Sequence, residues 1–411
     1  MIENKIPRYL FYLFCTFPIL IATGPLLADI LVVIFFFSFF FYFKDINNNK
    51  IIFDFVIILL FIFYFFAIIS SFISKYEFYS LKSSLLNLRF FLFIFLSVYL
   101  IKLFKNKIYI FFNLLNITVV FICFDAIIQY LFGFNIFGFT KINPVRISGI
   151  FGDELVLGSF LSKIYPILIT LHFYLNKIEK NLNKNYFFTA ITLLITFVII
   201  ISGERAALYS HLLYIGLCFL FLIKVINYKK IILIAGIFLI FLSFIFYSNQ
   251  NLKNRVLFPV KYLVDNKSIF LTYHENHFKL GFLIYKSNIF LGAGPKNFRH
   301  ECKKFEDKTL TGCSTHPHNT YIQILAETGS VGFFLIMIVF LYFCYNYIKF
   351  VYLNYKSKNN SYLEYLAIIS GLIIYLFPIS TNGNFFNNWL NFFFALFLIF
   401  YLFLKPSKNI N

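Results

Sequence analysis

Apolar residues run along most of this chain in blocks of membrane-crossing length, and one long polar stretch interrupts them. Windows of about 17 to 25 apolar residues, the length that carries a helix across a bilayer core, fall at 9–24, 26–43, 51–73, 84–101, 108–131, 155–175, 186–202, 206–223, 231–247, 328–348, 362–379 and 386–404. The pattern predicts an all-α polytopic membrane protein of about 12 transmembrane helices, with one long extracytoplasmic loop before the tenth. The expected organisation is a membrane block over 1–247, a polar segment with short helices over 248–327, and a second membrane block ending in a cytoplasmic tail over 328–411. Inside the polar segment Phe270, Tyr273, His277, Leu280, Leu283 and Ile284 recur at roughly helical spacing, which predicts an amphipathic helix over Ile269–Ser287 lying on the membrane surface. No repeat of fixed period and no second soluble domain interrupts this plan.

Composition removes the soluble classes. Of 411 residues 60% are hydrophobic and only 13% charged, about half the charge of a soluble domain. A formal charge of +19 would suggest nucleic acid in a soluble protein, but here the lysines gather in alternate loops, as the positive-inside rule demands. Lys44 and Lys50, Lys102 and Lys105, Lys177 and Lys180, Lys224 and Lys229, and Lys349 and Lys356 mark one side. Both termini are therefore expected in the cytoplasm, with the bilayer as partner and no nucleic acid. Ala22-Thr23-Gly24 mimics a signal-cleavage site, but an apolar segment follows at once, so the first segment is expected to stay as a span.

Candidate chemistry concentrates in the polar segment. Five of the seven histidines, His274, His277, His300, His316 and His318, lie there. His316 and His318 share parity, and a neutral imidazole accepts a proton from a sugar hydroxyl near pH 7, which Lys and Arg do only after large shifts. Asn319 is placed to cap the helix that follows. His274-x-x-His277 with His316-x-His318 also permits a metal reading, although the spacing matches no common zinc motif and no Cys or Asp completes it cleanly. Cys302 and Cys313 read better as a bridge than as ligands. Arg205, in Ser202-Gly203-Glu204-Arg205-Ala206-Ala207, sits between two apolar windows, where it pairs with Glu204, snorkels to the interface, or binds an anion such as phosphate. Arg146 lies in another external loop, beside Asp153 and Glu154, and has the same two readings. Gly292-Ala293-Gly294-Pro295 reads as a turn that lets backbone pass close to something. Asp125 and Gln129, one turn apart in a window, are the polar pair that a transport path would use.

Together, Ser202-Gly203-Glu204-Arg205-Ala206-Ala207, Gly292-Ala293-Gly294-Pro295-Lys296-Asn297-Phe298, His316-Pro317-His318-Asn319-x-Tyr321-x-Gln323-x-Leu325-x-Glu327-x-Gly329-x-x-Gly332 and Arg146-x-Ser148-Gly149-x-Phe151 resemble the O-antigen ligase and O-antigen polymerase superfamily. The resemblance implies a helical membrane glycosyltransferase that takes a polyprenyl-diphosphate-linked glycan at the outer face of the inner membrane, without metal or other cofactor. It implies that Arg205 binds the diphosphate, that Arg146 belongs to the same basic pocket, and that His318, ahead of His316, is the base on the acceptor hydroxyl. His274, His277, His316 and Asn319 become its substrate-binding neighbours. The acceptor would be lipid A core for a ligase or the growing glycan for a polymerase, with a protein O-glycosyl ligase as a third variant. Many members carry an arginine ahead of the glycine turn where this chain has His274.

Overall fold

Lipid-embedded backbone must satisfy its own N–H and C=O groups, and helices do so within a single segment. The computed structural model describes residues 5–48, 51–142, 145–179, 183–223, 249–266, 272–309, 312–356 and 362–406, with Gly236, Ser243, Phe246 and Tyr247. In chain order its helices are α1 (Ile6–Cys15), α2 (Phe17–Ala22), α3 (Pro25–Asn48), α4 (Phe55–Ile73), α5 (Glu77–Asn87), α6 (Arg89–Leu103), α7 (Tyr109–Phe132), α8 (Leu157–Glu179), α9 (Asn183–Ile201), α10 (Arg205–Leu222), α11 (Gln250–Asn266), α12 (Thr272–Ser287), α13 (Phe298–Glu301), α14 (Thr320–Lys356), α15 (Leu363–Tyr375) and α16 (Asn388–Leu404). There is no strand among the described residues.

This is an all-α membrane protein. Among the described residues six stretches are long and apolar enough to cross a bilayer: Pro25–Asn47, Phe55–Ile73, Glu77–Leu103, Lys105–Phe132, Arg205–Leu222 and Thr320–Lys356. Thr189–Ile201, Leu363–Tyr375 and Asn388–Leu404 are shorter apolar helices. The expected window at 231–247 falls outside the described residues, apart from the four single positions. The window at 9–24 is not one helix but α1 and α2. Pro18 causes the break, because in a continuous helix its ring would clash with the Phe14 carbonyl, whereas near the start of α2 it costs no hydrogen bond.

The chain divides into two compact units. The first comprises Met1–Ile108, Phe270–Tyr345 and Tyr375–Lys405. Here α6 packs against α3 and α16, and α16 is buried continuously from Leu390 to Leu402. By contrast α3 exposes Phe37, Phe40 and Phe41, as expected of a helix with one side toward lipid. Arg89 on α6 pairs with Asp29 on α3 at 2.5 Å. The polar part of this unit has its own small core of Leu280, Ile284, Phe298, Cys302 and Ala326, and a disulfide joins Cys302 to Cys313 with Cα atoms 5.6 Å apart. The residues expected to form an amphipathic helix form α12, with Ile269–Leu271 outside the described residues.

The second unit comprises Tyr109–Ile269, Asn346–Ile374 and Pro406–Asn411. Its apolar helices are tied by polar side chains, which in lipid replace the hydrophobic effect as interhelical contacts. Thr196 meets His211 at 3.0 Å, Tyr347 donates to the Leu217 carbonyl at 2.6 Å and Lys177 pairs with Glu364 at 2.6 Å. Asp125 accepts from Asn135 Nδ2 and Ile136 N, both at 3.1 Å. Gln129 Oε1 accepts from Ser148 N at 2.9 Å and Gly149 N at 2.8 Å. This polar pair therefore holds the loop after α7.

Candidate functional site

In the first unit the segment Ser314–Asn319 carries two histidines to two others on α12. The ring of His318 lies 4.3 Å from that of His316, 5.4 Å from His277 and 5.5 Å from His274, centroid to centroid. Helical spacing explains half of this, since His274 and His277 are three residues apart on one face of α12. The other half comes from backbone at His318, whose φ of 60° is left-handed, a region where His is tolerated better than most residues. The conformation is locked from both sides. Asn382 N donates to the His318 carbonyl at 2.9 Å. Asn319 Oδ1 accepts from Tyr321 N and Ile322 N, both at 3.0 Å, capping α14, while its Nδ2 donates to the Pro378 carbonyl at 2.7 Å. Asn319 is thus buried and occupied as a cap.

Burial, and then the neighbouring imidazoles, push His318 down to about 3. Burial pushes His316 down to about 4, with Arg299 adding repulsion, and His277 is also lowered by burial. Ser314 Oγ meets His318 Nε2 at 3.2 Å, and Thr315 Oγ1 meets His316 Nδ1 at 2.9 Å. Both ring nitrogens of the fully buried His277 are without hydrogen-bond partners among the described residues. His277, His316 and His318 are therefore neutral at physiological pH and present imidazole lone pairs and N–H groups to whatever enters the cluster. Among the described residues there is no group of three or more His, Cys, Asp or Glu side chains arranged to hold a metal ion.

The glycine turn beside this cluster is clamped. Ala293 N and Gly294 N donate to the Ala326 and Glu327 carbonyls at 2.9 and 2.8 Å. Glu327 Oε1 accepts from Phe298 N at 3.0 Å, and Gln323 Nε2 donates to Glu327 Oε2 at 2.9 Å. Gln323 and Glu327 thus have a structural reason to stand where they do: they pin the turn to α14.

In the second unit Arg146, Arg205 and Arg255 converge. Gly203 has φ 67° and lets the chain pass so close to Val145 that a Cβ would stand 2.6 Å from its carbonyl oxygen. This brings Arg205, at the start of α10, beside the Arg146 loop. Arg255 on α11 completes the group, its Nε donating to the Gly203 carbonyl at 2.8 Å, and Tyr209 on α10 donates to the Val256 carbonyl at 2.9 Å. Arg146 lies in the field of Arg255 and Arg205, and Arg205 in that of Arg255.

Neither structural pairing considered for these arginines occurs. The Glu204 carboxylate accepts from Gly158 N at 2.8 Å and Ser159 N at 3.2 Å, at the start of α8. Arg146 Nη2 donates to the Leu155 carbonyl at 2.9 Å, and its Nε is buried without a hydrogen-bond partner among the described residues. Arg205 stacks at 5.8 Å over Phe258 and makes no ion pair with a described carboxylate. Three half-buried cations with one committed carboxylate call for an anion. Arg255 was not singled out in the sequence.

Residues 190–337 match the family model Wzy_C, O-antigen ligase. The chain carries the O-antigen ligase family domain. This segment includes Arg205, Arg255 and all four clustered histidines, and leaves Arg146 outside. A comparison with curated proteins gave no match. This match agrees with the resemblance of the motifs to the O-antigen ligase superfamily, and with the apolar helices it supports a multi-pass bacterial membrane protein.

Proposed function

We propose that this O-antigen ligase family protein is an inverting, metal-independent glycosyltransferase. It moves a polyprenyl-diphosphate-linked glycan onto the lipid A core at the outer face of the inner membrane, with both termini in the cytoplasm. The observation that carries this reading is the arginine group Arg146, Arg205 and Arg255, whose neighbouring carboxylate, Glu204, is engaged by Gly158 N and Ser159 N, so that the group suits a diphosphate. Diphosphate is already a good leaving group, so fixed cations that neutralise its growing charge supply most of the required stabilisation. The acceptor hydroxyl attacks the anomeric carbon from the opposite side, its oxygen forms the new glycosidic bond as the bond to diphosphate breaks, and its proton passes to His318. His318 is a weak base at its depressed value, which suits a hydroxyl proton that becomes acidic only as the new bond forms. His274, His277 and His316 line the acceptor side, and Asn319 positions His318.

Repeat-unit polymerisation is the second reading, since it uses the same donor. The transport reading loses the feature that motivated it, because Asp125 and Gln129 are occupied in holding the loop after α7. Mass spectrometry of lipopolysaccharide and lipid-linked glycans from a strain lacking this chain separates these readings. Bare lipid A core beside accumulated long polyprenyl-diphosphate glycan is the expected result; core carrying a single repeat would mean polymerase, and an unchanged profile would overturn both.

A further inference from the structure

The first unit holds a second concentration of positive charge that the reaction above does not use. Lys296 and Arg299 leave the glycine turn three residues apart, both half-buried. Lys296 has φ 63°, a strained conformation for a long side chain. The turn is held there because a Cβ at Gly294 would stand 2.6 Å from Ser74 Cβ and 2.7 Å from Ser80 Oγ. Lys82 and Arg89 add to the positive field at Lys296, although Arg89 is paired with Asp29. Glu327, held by Phe298 N and Gln323, is the one carboxylate among the described residues that acts on both cations, and Glu301 is paired with Lys304. Arg299 Nε is buried with no hydrogen-bond partner among the described residues.

The surroundings say what kind of anion fits. Arg299 lies 5.9 Å over the Tyr79 ring, and His300 packs at 4.5 Å on Tyr76 and 5.5 Å on Tyr79. Tyr76 and Tyr79 are still more than a third exposed, and Phe78 beside them is 83% exposed. Aromatic rings offer flat faces to sugar C–H groups, and an exposed Phe at the end of an apolar helix belongs at the lipid boundary. On its other side Arg299 is close enough to His316 to depress it. Arg299 thus connects the partly exposed Tyr79 ring with the histidine cluster.

We propose that Lys296 and Arg299 form a subsite for a phosphate group on the sugar headgroup of the acceptor glycolipid. The assignment of this lipid as acceptor rests on the transferase reading; binding of a phosphorylated glycolipid does not. The test is binding to the full-length protein in nanodiscs, using lipid A with its phosphates, the same lipid after phosphatase treatment, and inorganic phosphate. Wild type and Arg205→Ala should both prefer the phosphorylated lipid by about tenfold or more, the size of a charge-assisted contact pair. Lys296→Gly combined with Arg299→Gln should lose the preference; glycine suits the left-handed backbone, so this variant removes charge without adding strain. An equal preference in that variant would overturn the subsite. Full displacement of the lipid by an equal concentration of inorganic phosphate would reduce it to a bare anion site and overturn the glycolipid assignment. If transfer assays fail while the binding preference holds, the transferase reading falls and the subsite stands.

Discussion

At φ 60° His318 keeps its backbone where alanine would be strained and asparagine would not, so His318→Asn is the informative variant: it removes the base and spares the fold. The depressed values predict an unusual pH profile. A base held at about 3, beside a neighbour at about 4, stays unprotonated down to those values, so kcat/KM should show no histidine-dependent fall near the ordinary value of about 6.5. A loss of activity titrating near 6.5 in purified protein would contradict the clustered, buried histidines. The sign for stability is separate. The unfolded chain takes up these protons below about 6.5 while the folded chain does not until about 4 and 3. The stability present above 6.5 is therefore lost progressively as pH falls toward those values. His316 and His318 were legible from their parity and from the shortage of polar residues elsewhere. Arg255 and Arg299 were not, because helical spacing inside a polar segment does not say what a side chain meets. Rarity was the available signal: the chain has six arginines, Arg8, Arg89, Arg146, Arg205, Arg255 and Arg299, in a lysine-rich sequence. A planar guanidinium is kept where geometry matters.

The glycine turn and the start of α14 form one device among the elements. Gly329 has φ 66° inside α14, and a Cβ there would stand 2.2 Å from the Phe290 carbonyl oxygen. Ser330 N donates to the Ile289 carbonyl at 2.8 Å, so the helix breaks to receive the turn. Gly329→Ala combines positive-φ strain with backbone overlap and should destabilise the protein by about 2 to 4 kcal/mol or more. The check is its melting temperature in detergent beside Gly216→Ala, where a Cβ meets nothing within 4 Å; equal melting would contradict the packing. The sequence showed that Gly292-Ala293-Gly294 lets backbone pass closely, and it placed most apolar helices. It did not show that the approaching partner is α14, because a contact between distant segments leaves no period in either. The break at Pro18 was readable in principle, but averaging hydropathy over a whole span conceals a missing hydrogen bond.

Across the whole molecule, the histidine cluster belongs to one compact unit and the arginine group to the other, and the family domain at 190–337 includes residues from both. The charge distribution along the chain argues that the histidine segment faces outward, and cysteine labelling of intact cells tests it. Lys303→Cys should react with a membrane-impermeant maleimide, whereas Lys44→Cys and Lys349→Cys should react only after permeabilisation; the reverse would invert the topology. In the proposed reaction the fixed cations and the imidazole base transfer a glycan from its polyprenyl diphosphate. The most direct measurement is product formation by the purified protein in proteoliposomes supplied with that donor and lipid A core. Wild type should form product. Arg205→Ala should lose about 2 to 4 kcal/mol of barrier stabilisation and His318→Asn about 10² to 10⁴ in rate, both with unchanged melting. Product from both variants at the wild-type rate would contradict the account.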